Sequence, residues 1–375
     1  MLDTLHYWPR TYIMTGCVSF VLAAILTPVA IALLKRWGVM DAVSENKIHS
    51  HPVPRAGGIV IFIAFAVGVL LPNYRDNPMK GIMLGAGMCL LVGAIDDWRG
   101  GIPAVFKFIT LLFVTYVMSL FDVQLRIFNS YWLDLLLTMI WVVGVTSSFN
   151  GIDNMDGLAS GVATIVSTMY LVIALQAFFF AGTETPLSWF GLLAAGLIGS
   201  NIGFLLFNFK PARIFMGDAG SFFLGFTLAA LGVMGEWSQN RIVSVSIPVL
   251  ILGVPIFDFA YILLSRIIRG DTKTVREVIE HCAPDHLSHR LVWIGFSQPK
   301  AVLFIYMISF ALGVSGVLLR NSTSYFDTAL AFSQGLAIVV IVMVLMATAA
   351  RRHQDAINEE VSQLHSVHTE DKRNI

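Results

Sequence analysis

Between residues 11 and 349 the chain alternates long apolar runs with short polar stretches. A helix advances only about 1.5 Å per residue, so about 20 mostly apolar residues are needed to cross the hydrocarbon core of a bilayer. About eleven runs meet or approach that length: 11–34, 57–72, 79–95, 103–121, 132–149, 157–181, 189–208, 220–235, 242–265, 299–319 and 327–349. The pattern predicts an all-α, polytopic integral membrane protein with about 11 transmembrane helices. No separate soluble domain interrupts it. Residues 1–350 therefore read as a single transmembrane unit, followed by a polar tail, 351–375.

Composition agrees: 56% of the 375 residues are hydrophobic and only 13% charged. Soluble domains carry about twice that share of charge. The net charge of zero says nothing about partners, among which no nucleic acid is expected, but the placement of charge is informative. With the N-terminus outside, six of the 24 Lys and Arg fall in outer loops: Arg10, Arg75, Lys80, Arg126, Arg241 and Arg320. The remaining 18, among them Lys35, Arg36, Lys210, Arg213, Arg266, Arg269, Arg351 and Arg352, fall on the other side. Positive loops stay cytoplasmic, so the expected topology has the N-terminus out and the C-terminal tail in. The first run has no basic stretch before it and Lys35–Arg36 after it, which reads as a retained helix. Cys17, Cys89 and Cys282 are scattered and form no pairing framework.

On this topology the acidic residues separate by side. The outer loops hold singles such as Asp76, Glu184 and Glu236, while the cytoplasmic ends hold clusters. "GAIDDWRGG" places Asp96 and Asp97 at the end of the third run, "NGIDNMDG" places Asp153 and Asp156 before the sixth, and "NFKPARIFMGDAGS" places Asp218 before the eighth. A single Asp at such a place is an ordinary helix N-cap. Adjacent carboxylates at the end of an apolar helix are not, because they repel each other and oppose the negative end of the helix dipole. Five carboxylates on one membrane face call for a cation. With no thiol and few imidazoles nearby, the donor set suits a hard ion, Mg²⁺ with Mn²⁺ as a substitute, that shares its shell with phosphate oxygens. Gly157, Gly217 and Gly220 flank the acids at helix starts, where free N–H groups can receive phosphate. Lys107, Lys210, Arg213 and Arg55 are candidate phosphate cations.

"HCAPDHLSHRL" at 281–291 adds His286 and His289, three apart and expected to share a helix face. Cys282, Asp285 and these histidines match no strong zinc spacing, so contact with a substrate is the better reading. Asp258 lies within an apolar run, as a buried structural group or a support behind the site. A phosphate-loop motif, a HExxH pair and a nucleophile elbow are all missing from the sequence.

Taken in order, "KIHSHPVPRAGG", "IDDW", "FNGIDNMDGLASG", "NFKPARIFMGDAGS" and "DHLSHRL" resemble the polyprenyl-phosphate N-acetylhexosamine-1-phosphate transferases. That family includes the bacterial undecaprenyl-phosphate GlcNAc-1-phosphate transferases and, more distantly, phospho-MurNAc-pentapeptide transferase. The resemblance covers about residues 12–349. It implies a multi-pass plasma-membrane enzyme that transfers HexNAc-1-phosphate from a UDP-N-acetylhexosamine to undecaprenyl phosphate, with Mg²⁺, releasing UMP on the cytoplasmic side. Such a step initiates a cell-envelope glycan. A homodimer is left open.

The resemblance also implies roles. Asp96 is the base or orienting group for the lipid phosphate, and Asp97 and Asp218 hold Mg²⁺. Asn150, Asp153, Asp156 and Asn208 bind the nucleotide or order the site. His286 and His289 contact the nucleotide sugar. Lys107, Arg55 and His49 belong with phosphate. Two positions depart from the family pattern: Ser288 stands where relatives have the first of two adjacent histidines, and Asn154 stands in a glycine's place. Asn tolerates positive φ better than most side chains.

Two other readings compete. Membrane carboxylates also line ion-coupled transporters, but those sites lie near the midplane between repeats, whereas here the acids share one face and no repeat is visible. An intramembrane aspartyl protease would use two aspartates and leave the other acids unexplained.

Overall fold

The computed structural model describes residues 2–41, 51–74, 76–128, 130–181, 188–234, 237, 241–270, 285–320 and 325–371. Within these, every apolar run of the sequence is helical. The elements are α1 (Leu2–Trp37), β1 (Met40–Asp41), β2 (Val53–Pro54), α2 (Gly58–Leu70), α3 (Asn77–Arg99), α4 (Ala104–Ser119), α5 (Tyr131–Ile152), α6 (Leu158–Ala181), α7 (Ser188–Asn208), α8 (Gly217–Val233), α9 (Arg241–Ile251), α10 (Gly253–Arg269), α11 (Leu287–Trp293), α12 (Gln298–Arg320) and α13 (Tyr325–Asp371).

Seven helices, α1, α3, α5, α6, α7, α12 and α13, are long and apolar enough to cross a membrane. α9 and α10 satisfy the same test only as a pair, bent by 84°, which makes eight. The apolar run at 242–265 is thus a broken segment and not the single helix its length suggested. Prolines account for the break. Pro255 has no N–H to offer Ile251, and Pro248 interrupts the ladder a turn earlier. α2, α4 and α8 are apolar but only 13, 16 and 17 residues long.

α8 occupies the middle of the bundle, packed by α3, α5 and α2, with every residue from Ala219 to Val233 buried. Helices in lipid gain little from the hydrophobic effect against each other and associate through close backbone approach at small residues. That is visible at the start of α8. A Cβ added to Gly58 would overlap the backbone of Gly220, and one added to Gly93 would overlap the backbone of Asp218. These contacts draw the ends of α2, α3 and α8 together. Conversely, α13 exposes Leu336, Ile341 and Val344, as a lipid-facing helix would.

Candidate active site

The first part of the site is a helix ending. α3 stops at Gly100, which takes a left-handed conformation (φ 77°) and donates its N–H to the Asp96 carbonyl. Gly101 bonds the same carbonyl at 3.1 Å. The turn carries Ile102 back so that its N–H reaches Asp96 Oδ1 at 2.6 Å. α4 then begins, and one turn into it Lys107 Nζ lies 2.9 Å from Asp96 Oδ1 and also bonds Asp218 Oδ2. The "IDDWRGG" stretch therefore aims one carboxylate and brings back a lysine to meet it.

Asp97 points at α8. Its Oδ1 accepts the Asp218 N–H at 3.1 Å and its Oδ2 the Ala219 N–H at 3.0 Å. A helix start leaves such N–H groups without internal partners, and here a carboxylate from another helix receives them. The N-cap role expected of a local residue is played across 121 positions of chain. Gly217 makes this possible: its φ is 69° and a Cβ there would overlap the Asp97 carboxylate.

β1 and β2 form an antiparallel clip, pairing Met40 with Pro54 and Asp41 with Val53. Beyond it the chain pairs with the lead into α8: Phe215 N–H bonds the Pro54 carbonyl, and Gly57 and Gly58 bond the carbonyls of Phe215 and Met216, all within 2.9 Å. Arg55 is thereby held near Asp97, whose charge it faces, with its Nε buried and without a hydrogen-bond partner. His49 lies outside the described residues.

The "NGIDNMDG" loop joins from α5. Asn150 Nδ2 donates to Asp218 Oδ1 at 3.1 Å and to Ser221 Oγ at 2.8 Å. Asp153, just past α5, is pushed well above the usual carboxylate range by burial and by the charges of Asp218, Asp97 and Asp156. Asp156 Oδ2 accepts the Ala212 N–H at 3.0 Å, which fixes the loop before α8. Asn208 is buried and structural in its contacts: it accepts from Ser160 Oγ and donates to the Ile214 carbonyl. The positive φ of this loop belongs to Gly157 (77°), while Asn154 is not among the non-glycine residues with positive φ, so the tolerance expected of it is not called upon.

The histidine segment approaches from the other side. Asp258, 1% exposed, receives His286 Nδ1 at 2.7 Å on one oxygen and the Leu287 N–H at 2.7 Å on the other. His286 and His289 do not share a helix face. His286 is the extended N-cap of α11 (ψ 158°) with its ring bonded to Asp258, whereas His289 lies within the helix. Burial and the neighbouring His286 lower the basicity of His289. Burial alone would raise Asp285, but its bonds to Arg266, at 2.6 and 3.1 Å, hold it below the ordinary value. Lys210 and Arg213 are both exposed, and Arg213 lies over the Phe207 ring.

Asp96, Asp97 and Asp218 each present a carboxylate oxygen, all within 4.8 Å of one another. An all-oxygen donor set of three acids fits a hard dication with phosphate or water completing the shell. Sequence reasoning passed over Ser221, Ser160, Arg290 and Tyr306. Arg290 bonds the carbonyls of Asp285 and Met346, and Tyr306 bonds the Gly157 carbonyl. Ser160, Ser221 and Arg290 stand inside quoted motifs, but a tyrosine in an apolar run carries no signal of its own.

Residues 79–236 match the model of a family described as Glycosyl transferase family 4. Over 342 residues the chain is 34% identical to the "Probable undecaprenyl-phosphate N-acetylglucosaminyl 1-phosphate transferase" of Bacillus subtilis strain 168, covering 88% of this chain and 89% of the relative. It is 29% identical to the decaprenyl-phosphate N-acetylglucosaminephosphotransferase of Mycolicibacterium smegmatis, over 93% and 91% of the two chains. A phospho-N-acetylmuramoyl-pentapeptide-transferase of Bacillus cytotoxicus is 26% identical, over 81% and 96%. All three relatives are named as transferases, which gives no support to the transporter or protease readings.

Proposed function

Since the chain belongs to Glycosyl transferase family 4, among the polyprenyl-phosphate N-acetylhexosamine-1-phosphate transferases, we propose that the acidic centre transfers HexNAc-1-phosphate from a UDP-sugar to polyprenyl phosphate. The observation that carries the reading is the meeting of Asp96, Asp97 and Asp218 with Lys107 at a helix N-terminus. An oxygen of the lipid phosphate bonds the sugar-bearing phosphorus of the donor. The bond to the bridging oxygen breaks, and UMP leaves with that oxygen. The nucleophile is already an oxyanion, so alignment and charge neutralisation supply most of the rate.

Asp96 orients the acceptor phosphate from the end of α3. Asp218 and Asp97 would hold Mg²⁺, which would supply Lewis-acid neutralisation of the diphosphate. Asp97 would do so while its oxygens keep the α8 N–H groups. Lys107 and Arg55 face the charge that builds on the phosphate oxygens. Asn150 holds Asp218 in place, and Asp153 and Asp156 border the nucleotide. His286, with Nδ1 fixed by Asp258, turns Nε2 to the donor, and His289 stands beside it. The helices make one transmembrane unit with the N-terminus out and the site on the cytoplasmic face of the inner membrane. The basic residues gathered on that face support the orientation.

The test is UMP release by detergent-purified protein given undecaprenyl phosphate and a panel of UDP-sugars, with Mg²⁺ or with EDTA. Release with one UDP-N-acetylhexosamine that needs both lipid and metal is expected. Folded protein that is silent across the panel overturns the reaction, and undiminished release in EDTA overturns the metal.

A further inference from the structure

The Asn154 side chain closes two hydrogen bonds. Its Nδ2 donates to the Gly151 carbonyl at 2.8 Å, and its Oδ1 accepts from Ser288 Oγ at 2.6 Å. The first bond is local and holds the loop that leaves α5. The second crosses 134 positions of chain to the first turn of α11.

Two segments of the site are joined there. One carries Asn150, which bonds Asp218, and Asp153; the other carries His286 and His289. They touch a second time where the His286 ring lies over Gly151, so closely that an added Cβ would sit 2.9 Å from Cε1. His286 is itself held from behind by Asp258. His289, the residue after Ser288, keeps its Nδ1 buried without a hydrogen-bond partner. The bond at Ser288 anchors the first turn of α11 beside the bond from the Leu287 N–H to Asp258, and so bears on the position of His289.

Asn154 supplies the acceptor and Ser288 the donor of this single bond. With glycine at 154 the serine hydroxyl would lose this acceptor.

Resting on the transferase reading above, we propose that Asn154 and Ser288 are positioning residues for the nucleotide sugar. Their bond sets the spacing between the acidic loop and the histidine segment, which the donor must span. It acts on donor binding and leaves the lipid phosphate and the chemical step alone.

The test is steady-state kinetics of Ser288→Ala, Asn154→Gly, the double variant and Ser288→Thr, each with donor and lipid varied separately. Losing a bond whose partner stays buried (Ser288) or half-buried (Asn154) should raise the donor KM about tenfold in each single variant. The lipid KM and kcat should stay within about twofold, the double variant should be no worse than the singles, and Ser288→Thr should recover the wild-type donor KM. Independent effects that multiply in the double variant, or a change in kcat instead of donor KM, overturn the proposal. If Ser288→Ala does not fold, Asn154→Gly and Ser288→Thr decide it in the same way. Wild-type protein silent with every donor overturns the transferase reading itself. Active wild type with unmoved variants overturns the pair alone.

Discussion

Lys107 Nζ stands between two carboxylates from distant parts of the chain, 2.9 Å from Asp96 and bonded to Asp218. Without it the two acids face each other with no fixed cation. Lys107→Met should lower kcat by about 10²–10³-fold, the scale for losing one preorganised charge contact. It should also make thermal stability depend more steeply on Mg²⁺, since the metal and Arg55 then carry the counter-charge that Lys107 supplied. Melting curves with and without Mg²⁺, run beside the kinetics, check both.

Asp97 and Asp218 should fail differently. Asp97→Ala strips the acceptors from two N–H groups at the start of α8, at a cost of about 1–3 kcal/mol for each group left unpaired. Its melting temperature should drop along with its activity. Asp218→Asn keeps hydrogen-bonding capacity toward Asn150 and should lose turnover while its melting temperature stays near wild type. A thermally normal Asp97→Ala protein would contradict the capping role.

Asp258 acts through His286. Asp258→Ala removes the partner of Nδ1 and the acceptor of the Leu287 N–H, so the ring is free to turn. The donor KM should rise by about tenfold or more, while the lipid KM stays put. Asp258→Asn keeps an acceptor for one of the two groups and should fall between. Separate titrations of the two substrates distinguish this from general damage.

Asp285 gives a pH prediction. Its carboxyl is held below the ordinary range by Arg266, so the folded value lies under the unfolded value of about 3.9. The stability it contributes is present in full above the unfolded value and is lost as pH falls through the folded one. The melting-temperature gap between wild type and Asp285→Asn should be constant from pH 7 to about 5 and close below about 4. A gap that widens in acid would reverse the sign.

Gly58 tests the packing that brings these groups together. A Cβ there meets the backbone of Gly220, and backbone cannot swing aside as a flexible side chain can. Gly58→Ala should cost stability and activity together, and melting curves with UMP release will show it. Ala at Gly144, where the surroundings are open, is the matching control and should be silent.

The helices could be read from hydropathy, but the number of crossings could not. Of the eleven expected spans only seven helices, or eight with the bent pair, reach crossing length, and α2, α4 and α8 fall short of it. The break at Leu252 was less legible, since Pro248 and Pro255 sit in a run whose apolar count looks continuous. The carboxylates of the site were visible as polar residues out of place among apolar ones. What the sequence hid is how they are used. That Asp97 serves α8 depends on two helices meeting through Gly93 and Gly217, a tertiary fact. The partnership of Asn154 with Ser288 was hidden for the same reason: each looked like an isolated departure. The role of Asp258 became definite only when His286 was seen beside it.

The bond from Asp97 to the first amides of α8 has a consequence for biosynthesis. A chain made from its N-terminus contains Asp97 and Lys107 long before Asp218, which fixes them, exists, and Asp258 and His286 come later still. No inserted fragment that stops short of α11 carries a complete centre. The two halves of the protein, made separately, would have to find each other in the bilayer before either could turn over substrate.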